Sequence, residues 1–108
     1  MHGSLEHLKI EVDLCGPGWE RIVDRSPGFE VVAQDIVFGE GPVWDARAGA
    51  LYFTDIIGDT IWKWRPGEGQ QMVLHPSAKA NGLALDLERR LLVAGWGGRT
   101  VVRPEDHG

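Results

Sequence analysis

Two short stretches of this chain match each other: EGPVWD at residues 40–45 and NGLALD at residues 81–86. Each begins with a polar residue and a glycine, continues with mainly apolar residues and ends in an aspartate that opens a turn. Asp86 follows Asp45 by 41 positions, and the residues after each turn match at an offset of 40. The chain therefore contains an internal repeat with a period near 40 residues.

The repeat consists of short strands. Apolar and β-branched runs alternate with turn residues from residue 29 onwards, and the 15 glycines among 108 residues are about twice the usual share. No run shows sustained helical spacing, so an all-β fold is predicted. A repeat of about 40 residues that holds four short strands is typical of a β-propeller blade. The alternative is a chance similarity between two β-meanders.

Residues 1–28 form a predicted N-terminal extension, and residues 29–108 form the predicted propeller part. Within the extension, residues 8–14 alternate in the pattern of a half-buried strand. Residues 19–24 favour either a short helical turn or an irregular segment. Residues 29–36 are rich in β-formers and predict the first strand of the propeller part.

Charge and composition exclude several classes of protein. The chain carries 11 Lys and Arg against 16 Asp and Glu, a net charge of −5, which argues against nucleic-acid binding. No apolar run approaches the roughly 18 to 20 residues of a membrane span. The N-terminus lacks a secretory apolar segment, and Cys15 is the only cysteine, so we expect a cytoplasmic protein.

Glu40 and Asn81 are the candidate functional residues because they occupy equivalent places in the two repeats. Glu40 lies between two glycines, and the innermost strands of a propeller converge on its axis. A carboxylate there suits a divalent cation. The alternatives are an exposed turn glutamate and, for Asn81, a turn residue that tolerates left-handed geometry. Trp44 and Trp62 follow strand periodicity and are interpreted as packing between blades.

The stretches FGEGPVWD (38–45) and LYFTDI (51–56) resemble the first blade of the SMP-30/gluconolactonase/LRE-like family. Residues 80–86 and 90–94 resemble the second blade of its bacterial members. The resemblance implies two four-stranded blades of a six-bladed propeller and a metal-dependent hydrolase acting on sugar lactones or related esters. It implies one divalent cation (calcium, zinc, magnesium or manganese), with Glu40 as a metal ligand and Asn81 lining the substrate site.

The length of the chain decides what it is expected to do alone. Two repeats do not close a ring, and the further metal ligands and the base of the family are absent from these 108 residues. We therefore expect an inactive N-terminal fragment of a lactonase-type propeller. The alternative is a non-enzymatic blade module that acts by self-association or by binding a ligand or a partner chain.

Overall fold

The computed structural model describes residues 11–22 and 28–104. They belong to two compact units that divide between Val31 and Val32. In the first unit, a 3-10 helix spans Trp19–Arg21, in agreement with the predicted helical turn. The strand predicted over residues 8–14 is wrong for residues 11–14, which form no strand, and its first three residues lie outside the described part.

The strand predicted over residues 29–36 is also wrong. Two features of this segment account for the difference. Asp35 has a φ of 63°, which interrupts an extended backbone. The backbone of Gln34 is hydrogen bonded to the side-chain amide of Gln70, at 3.0 and 3.2 Å, instead of to a neighbouring strand. Residues 29–36 are therefore rich in β-forming residues but form no strand, and the backbone at Gln34 is hydrogen bonded to a side chain.

The first repeat forms a four-stranded antiparallel sheet, named sheet 1. Its strands pair in sequence order: β1 (Gly39–Asp45), β2 (Ala50–Asp55), β3 (Thr60–Arg65) and β4 (Gly69–Leu74). The turns between them are tight, and Gly67 and Gly69 adopt positive φ values in the β3–β4 turn. This sheet is the four-stranded blade predicted for the first repeat.

The second repeat forms a three-stranded antiparallel sheet, named sheet 2, with β5 (Ala80–Leu85), β6 (Leu91–Gly95) and β7 (Thr100–Val102). Three of the four strands predicted for this repeat lie within the described residues. Only Arg103 and Pro104 follow β7 there, and two residues are too few for a turn and a further strand. Among the described residues, no helix is long and apolar enough to cross a membrane.

A register shift occurs near the start of the first strand of each sheet, displaced by one residue between the aligned repeats, and supports the repeat. The register shifts between Glu40 and Val43 when β1 pairs with β2, and between Ala80 and Leu83 when β5 pairs with β6. Such shifts are β-bulges, which bend a strand and redirect its side chains. The two sheets are therefore copies of one design.

The aspartates that end the two repeated stretches also act alike. The Oδ1 atom of Asp45 accepts hydrogen bonds from two backbone N–H groups of its turn, and so does that of Asp86. The Arg89 guanidinium lies 3.6 Å from Asp45 and connects the turn of sheet 2 to that of sheet 1. The partial β-propeller predicted from the sequence is thus two successive sheets of similar construction.

The core lies where sheet 1 meets sheet 2. Ile61 on β3 and Ala80 on β5 are completely buried and form a cluster with Val93 on β6. Leu83 and Leu91 pack against this cluster from sheet 2. Among the described residues the largest fully buried side chains are Ile61, Val93 and Thr54, and all three lie where the two sheets meet, so the stability of the unit depends on this contact.

Candidate functional site

Glu40 lies at the start of β1, opposite Thr54 on β2, and its side chain is exposed. Its Oε2 atom accepts a hydrogen bond of 2.9 Å from the backbone N–H of Gly41. This local bond uses part of the capacity of the carboxylate, which has about four lone-pair sites. The remaining sites face solvent and are accessible to a cation.

Asn81 lies at the equivalent position on β5, and the structure brings the two repeated stretches into contact there. The Thr54 hydroxyl donates a hydrogen bond of 3.0 Å to the Asn81 carbonyl oxygen. Gly41 has a φ of 51°, and a Cβ atom at this position would overlap the same oxygen. The backbone at Gly41 therefore packs directly against the backbone of Asn81. We call this contact between β1 and β5 the junction, and both candidate residues lie at it.

Asp55 fixes the segment that leads into Glu40. Its buried carboxylate accepts 2.9 Å hydrogen bonds from the backbone N–H groups of Val37, Phe38 and Gly58. Burial alone would raise the pKa of Asp55, but these three hydrogen bonds outweigh it and lower the pKa below its usual value. The carboxylate thus holds the chain just before β1 to the end of β2.

The lowered pKa of Asp55 predicts acid sensitivity. The stabilisation by its ionised form is complete above the unfolded-state pKa of about 4 and is lost as the pH falls through the lower folded-state pKa. We expect Asp55→Asn to cost about 1.5–3 kcal/mol at pH 7, because one amide N–H would face a backbone donor. Urea unfolding at a series of pH values measures this. The acid limb should be flatter in Asp55→Asn and unchanged in Glu88→Gln, and equal limbs for Asp55→Asn and the parent chain would contradict it.

Asp59 organises the connection from sheet 1 to β5. Its Oδ1 atom accepts bonds from the backbone N–H of Lys79 at 2.7 Å and from the backbone and hydroxyl of Ser77 at 3.1 and 3.2 Å. The hydrogen bond from Lys79 is the main cause that lowers the pKa of Asp59. The His75 ring lies 3.0 Å from both the Asp59 carbonyl oxygen and the Thr60 hydroxyl. This network fixes the start of β5 and therefore the position of Asn81, the second residue of that strand.

The carboxylate of Glu40 is a suitable ligand for a divalent cation, but one carboxylate is too few to form a cation site. Carboxylate oxygen is the ligand type that calcium, magnesium and manganese prefer, and zinc also accepts it. However, within residues 11–22 and 28–104 no three His, Cys, Asp or Glu side chains lie together as a metal-binding group. Glu40 therefore suits one position in a coordination shell, and the described residues add no group of His, Cys, Asp or Glu ligands around it.

Comparison with known proteins identifies the family. Residues 38–108 match the family described as the SMP-30/gluconolactonase/LRE-like region. This match covers both sheets and the whole of the junction at Glu40 and Asn81. The chain belongs to the SMP-30/gluconolactonase/LRE-like family.

Individual relatives agree with this assignment. A gluconolactonase of Zymomonas mobilis is 31% identical over 100 residues, which cover 81% of this chain and 28% of that protein. A regucalcin of Xenopus laevis is 33% identical over 55 residues, covering 51% of this chain and 18% of the regucalcin. The chain thus spans less than a third of the length of these family members.

Solved structures in the same family share the fold. A gluconolactonase from Xanthomonas campestris matches with a TM-score of 0.61 and 30% identity, over 65% of this chain and 24% of that one. A second structure, of a protein assigned to the gluconolactonases, matches with a TM-score of 0.63 and 27% identity, over 69% of this chain and 26% of its own. Sheets 1 and 2 therefore correspond to about a quarter of each of these larger structures.

The sequence did not predict the supporting roles of Thr54, Asp55 and Asp59 around the contact between Gly41 and Asn81 in this member of the SMP-30/gluconolactonase/LRE-like family. Asp55 ends the strand LYFTD and precedes Gly58, so the signal for a carboxylate that caps a turn was present. The role of Thr54 has no such local signal, because its partner Asn81 is 27 positions away. The same holds for Asp59, which reads as half of a Gly-Asp turn and binds residues 18 and 20 positions later.

Proposed function

We propose that this chain supplies the Glu40-bearing part of a metal-dependent lactonase of the gluconolactonase type. The observation that carries the proposal is the exposed Glu40 carboxylate at the start of β1, inside the segment that matches the family. The gluconolactonase relatives support a small lactone, such as a sugar lactone, as the substrate class. The reaction is hydrolysis of the ester bond of the ring.

Each residue at the junction has a defined part in this proposal. Glu40 would hold the divalent cation through its carboxylate, and Asp55 keeps the segment before Glu40 in place. Asn81 contributes to the wall of the substrate site beside Glu40. When bound, the cation supplies Lewis-acid polarisation of the lactone carbonyl. Carboxylate and amide oxygens accept several divalent ions, calcium, magnesium and manganese among them.

The 108-residue chain is proposed to lack turnover by itself. A single carboxylate binds a divalent ion weakly, since calcium takes six to eight oxygen ligands, and the described residues hold no group of three His, Cys, Asp or Glu ligands.

We also propose a cytoplasmic location for the protein. The single cysteine, Cys15, is a free thiol, which suits a reducing compartment.

A hybrid protein tests the function directly. Residues 38–108 replace the matched segment of the Zymomonas mobilis gluconolactonase, and hydrolysis of glucono-δ-lactone is followed by acid release. We expect the hybrid to hydrolyse the lactone, to lose activity on treatment with EDTA and to regain it with a divalent cation. We expect the 108-residue chain alone to show no hydrolysis above the uncatalysed rate. A folded but inactive hybrid would contradict the proposal.

A further inference from the structure

Thr54 lies between the two candidate site residues. It is the pairing partner of Glu40 in the register of β1 with β2. Directly paired residues of an antiparallel sheet place their side chains on the same face, with Cβ atoms about 4.5–5.5 Å apart. On its other side, the Thr54 hydroxyl donates a hydrogen bond of 3.0 Å to the Asn81 carbonyl oxygen. One side chain therefore adjoins both Glu40 and Asn81.

The β-bulges of the two sheets face each other at the junction. Gly41 lies in the register shift of β1, and Asn81 lies in the register shift of β5. A Cβ atom on Gly41 would meet both the Asn81 carbonyl group and the Cα atom of Gly82. Because a bulge disrupts the ladder of its own sheet, the position of Asn81 is set in part by these contacts from sheet 1.

Thr54 supplies the hydrogen bond among these contacts. Its side chain is completely buried, and so is its pairing partner on β3, Ile61. The Thr54 hydroxyl is therefore shielded from water, and a carbonyl group that loses its donor at such a place is costly. Because a carbonyl oxygen can only accept, the hydroxyl hydrogen of Thr54 is directed at Asn81 in the folded chain.

We propose that Thr54 is a positioning residue, which fixes Asn81 relative to Glu40 and therefore fixes the space in which the lactone is held. This inference rests on the proposed lactonase function, in which Glu40 binds the cation and Asn81 contacts the substrate. Both groups act on one small ring, and a misplacement of about 1 Å costs about 100-fold in rate. Thr54 acts through Asn81 and takes no part in breaking the ester bond.

Two substitutions of Thr54 test this role in the hybrid with the Zymomonas mobilis gluconolactonase. Thr54→Val keeps the shape of the side chain and removes the hydroxyl, whereas Thr54→Ser keeps the hydroxyl and removes a methyl group. We expect Thr54→Val to lower kcat/KM for glucono-δ-lactone by about 10- to 100-fold. The cation affinity should not change, because the backbone pairing between Glu40 and residue 54 is kept. Thr54→Ser should restore most of the lost activity.

Ile61→Val is the matched control for stability. It removes a methyl group from the buried residue that pairs with Thr54, and it leaves the hydroxyl and the Asn81 carbonyl group in place. Its urea midpoint should fall, while its kcat/KM stays that of the parent hybrid. A loss of kcat/KM in Ile61→Val equal to that in Thr54→Val, or no recovery in Thr54→Ser, would reduce Thr54 to a structural role and overturn the proposal.

Hydrogen exchange in the full chain measures how Asn81 is held without an assay of activity. In Thr54→Val, the amides of residues 81–83 should exchange about tenfold faster than in the parent chain, because the Asn81 carbonyl group has lost its donor. The amides of β6 should keep their exchange rates, and Thr54→Ser should behave as the parent chain. An inactive parent hybrid contradicts the lactonase function, whereas unchanged exchange at residues 81–83 in Thr54→Val overturns the role of Thr54.

Discussion

Replacing Gly41 by alanine should destabilise the chain by about 3 kcal/mol or more. Gly41 has a φ of 51°, where a residue with a Cβ atom loses roughly 1–2 kcal/mol. The added Cβ would also overlap the Asn81 carbonyl oxygen, a backbone atom that cannot turn aside as a side chain can. Relief requires the two sheets to separate at the junction, and overpacking of this kind costs a further 1–3 kcal/mol.

Gly49→Ala separates the two contributions to this loss. Gly49 also has a positive φ, of 63°, but a Cβ atom there would meet nothing within 4 Å. We therefore expect Gly49→Ala to cost only the roughly 1–2 kcal/mol of the backbone conformation. Urea unfolding followed by tryptophan fluorescence measures both variants. Equal losses in Gly41→Ala and Gly49→Ala would show that the contact between Gly41 and Asn81 does not hold the sheets together.

Glu40→Gln should lower kcat/KM for lactone hydrolysis by at least about 100-fold in the hybrid with the Zymomonas mobilis gluconolactonase. The change removes the negative charge that favours a divalent cation, while the amide keeps the size of the side chain. The side chain is exposed and, among residues 11–22 and 28–104, its hydrogen bond is the one from the adjacent Gly41 N–H, so we expect the unfolding free energy to change little. Glu40→Gln is therefore expected to lower the activity without lowering the stability.

Glu88→Gln is the control for this variant. Glu88 is an exposed glutamate in the β5–β6 turn, where its carboxylate lies 3.3 Å from the Arg90 guanidinium. Surface ion pairs of this kind contribute little, so neither activity nor stability should change measurably. Equal activity in Glu40→Gln and Glu88→Gln would exclude Glu40 from the chemistry.

The fold could be predicted because its signals are local and occur twice. The offset between residues 40–45 and 81–86 indicated two equivalent units, and the structure has bulges and aspartate turns at equivalent places. The prediction failed at residues 29–36, where β-forming residues lack a strand partner. Residue composition indicates only the preference of each residue for β structure. A strand also requires the backbone of a neighbouring strand to pair with.

The proximity of the two candidate residues was predictable from their position in the repeat, while their roles as metal ligand and substrate contact stay predictions. Glu40 and Asn81 follow from the equivalence of the two stretches, and the structure places both at one junction. Thr54 and Asp59 act on residues about 20 to 27 positions away, and no spacing rule connects them in the sequence. Trp44, which was interpreted as packing between blades, is 50% exposed among the described residues, so that interpretation stays a prediction.

The most direct test of a Glu40-bearing metal-dependent lactonase is calorimetric titration of the metal-free hybrid with Ca²⁺ and, separately, Mn²⁺. We predict one bound cation per hybrid and an affinity at least about tenfold weaker in Glu40→Gln, with no change in Glu88→Gln. The same affinity in the hybrid and in its Glu40→Gln variant would contradict the account, because Glu40 would then contribute nothing to the metal site.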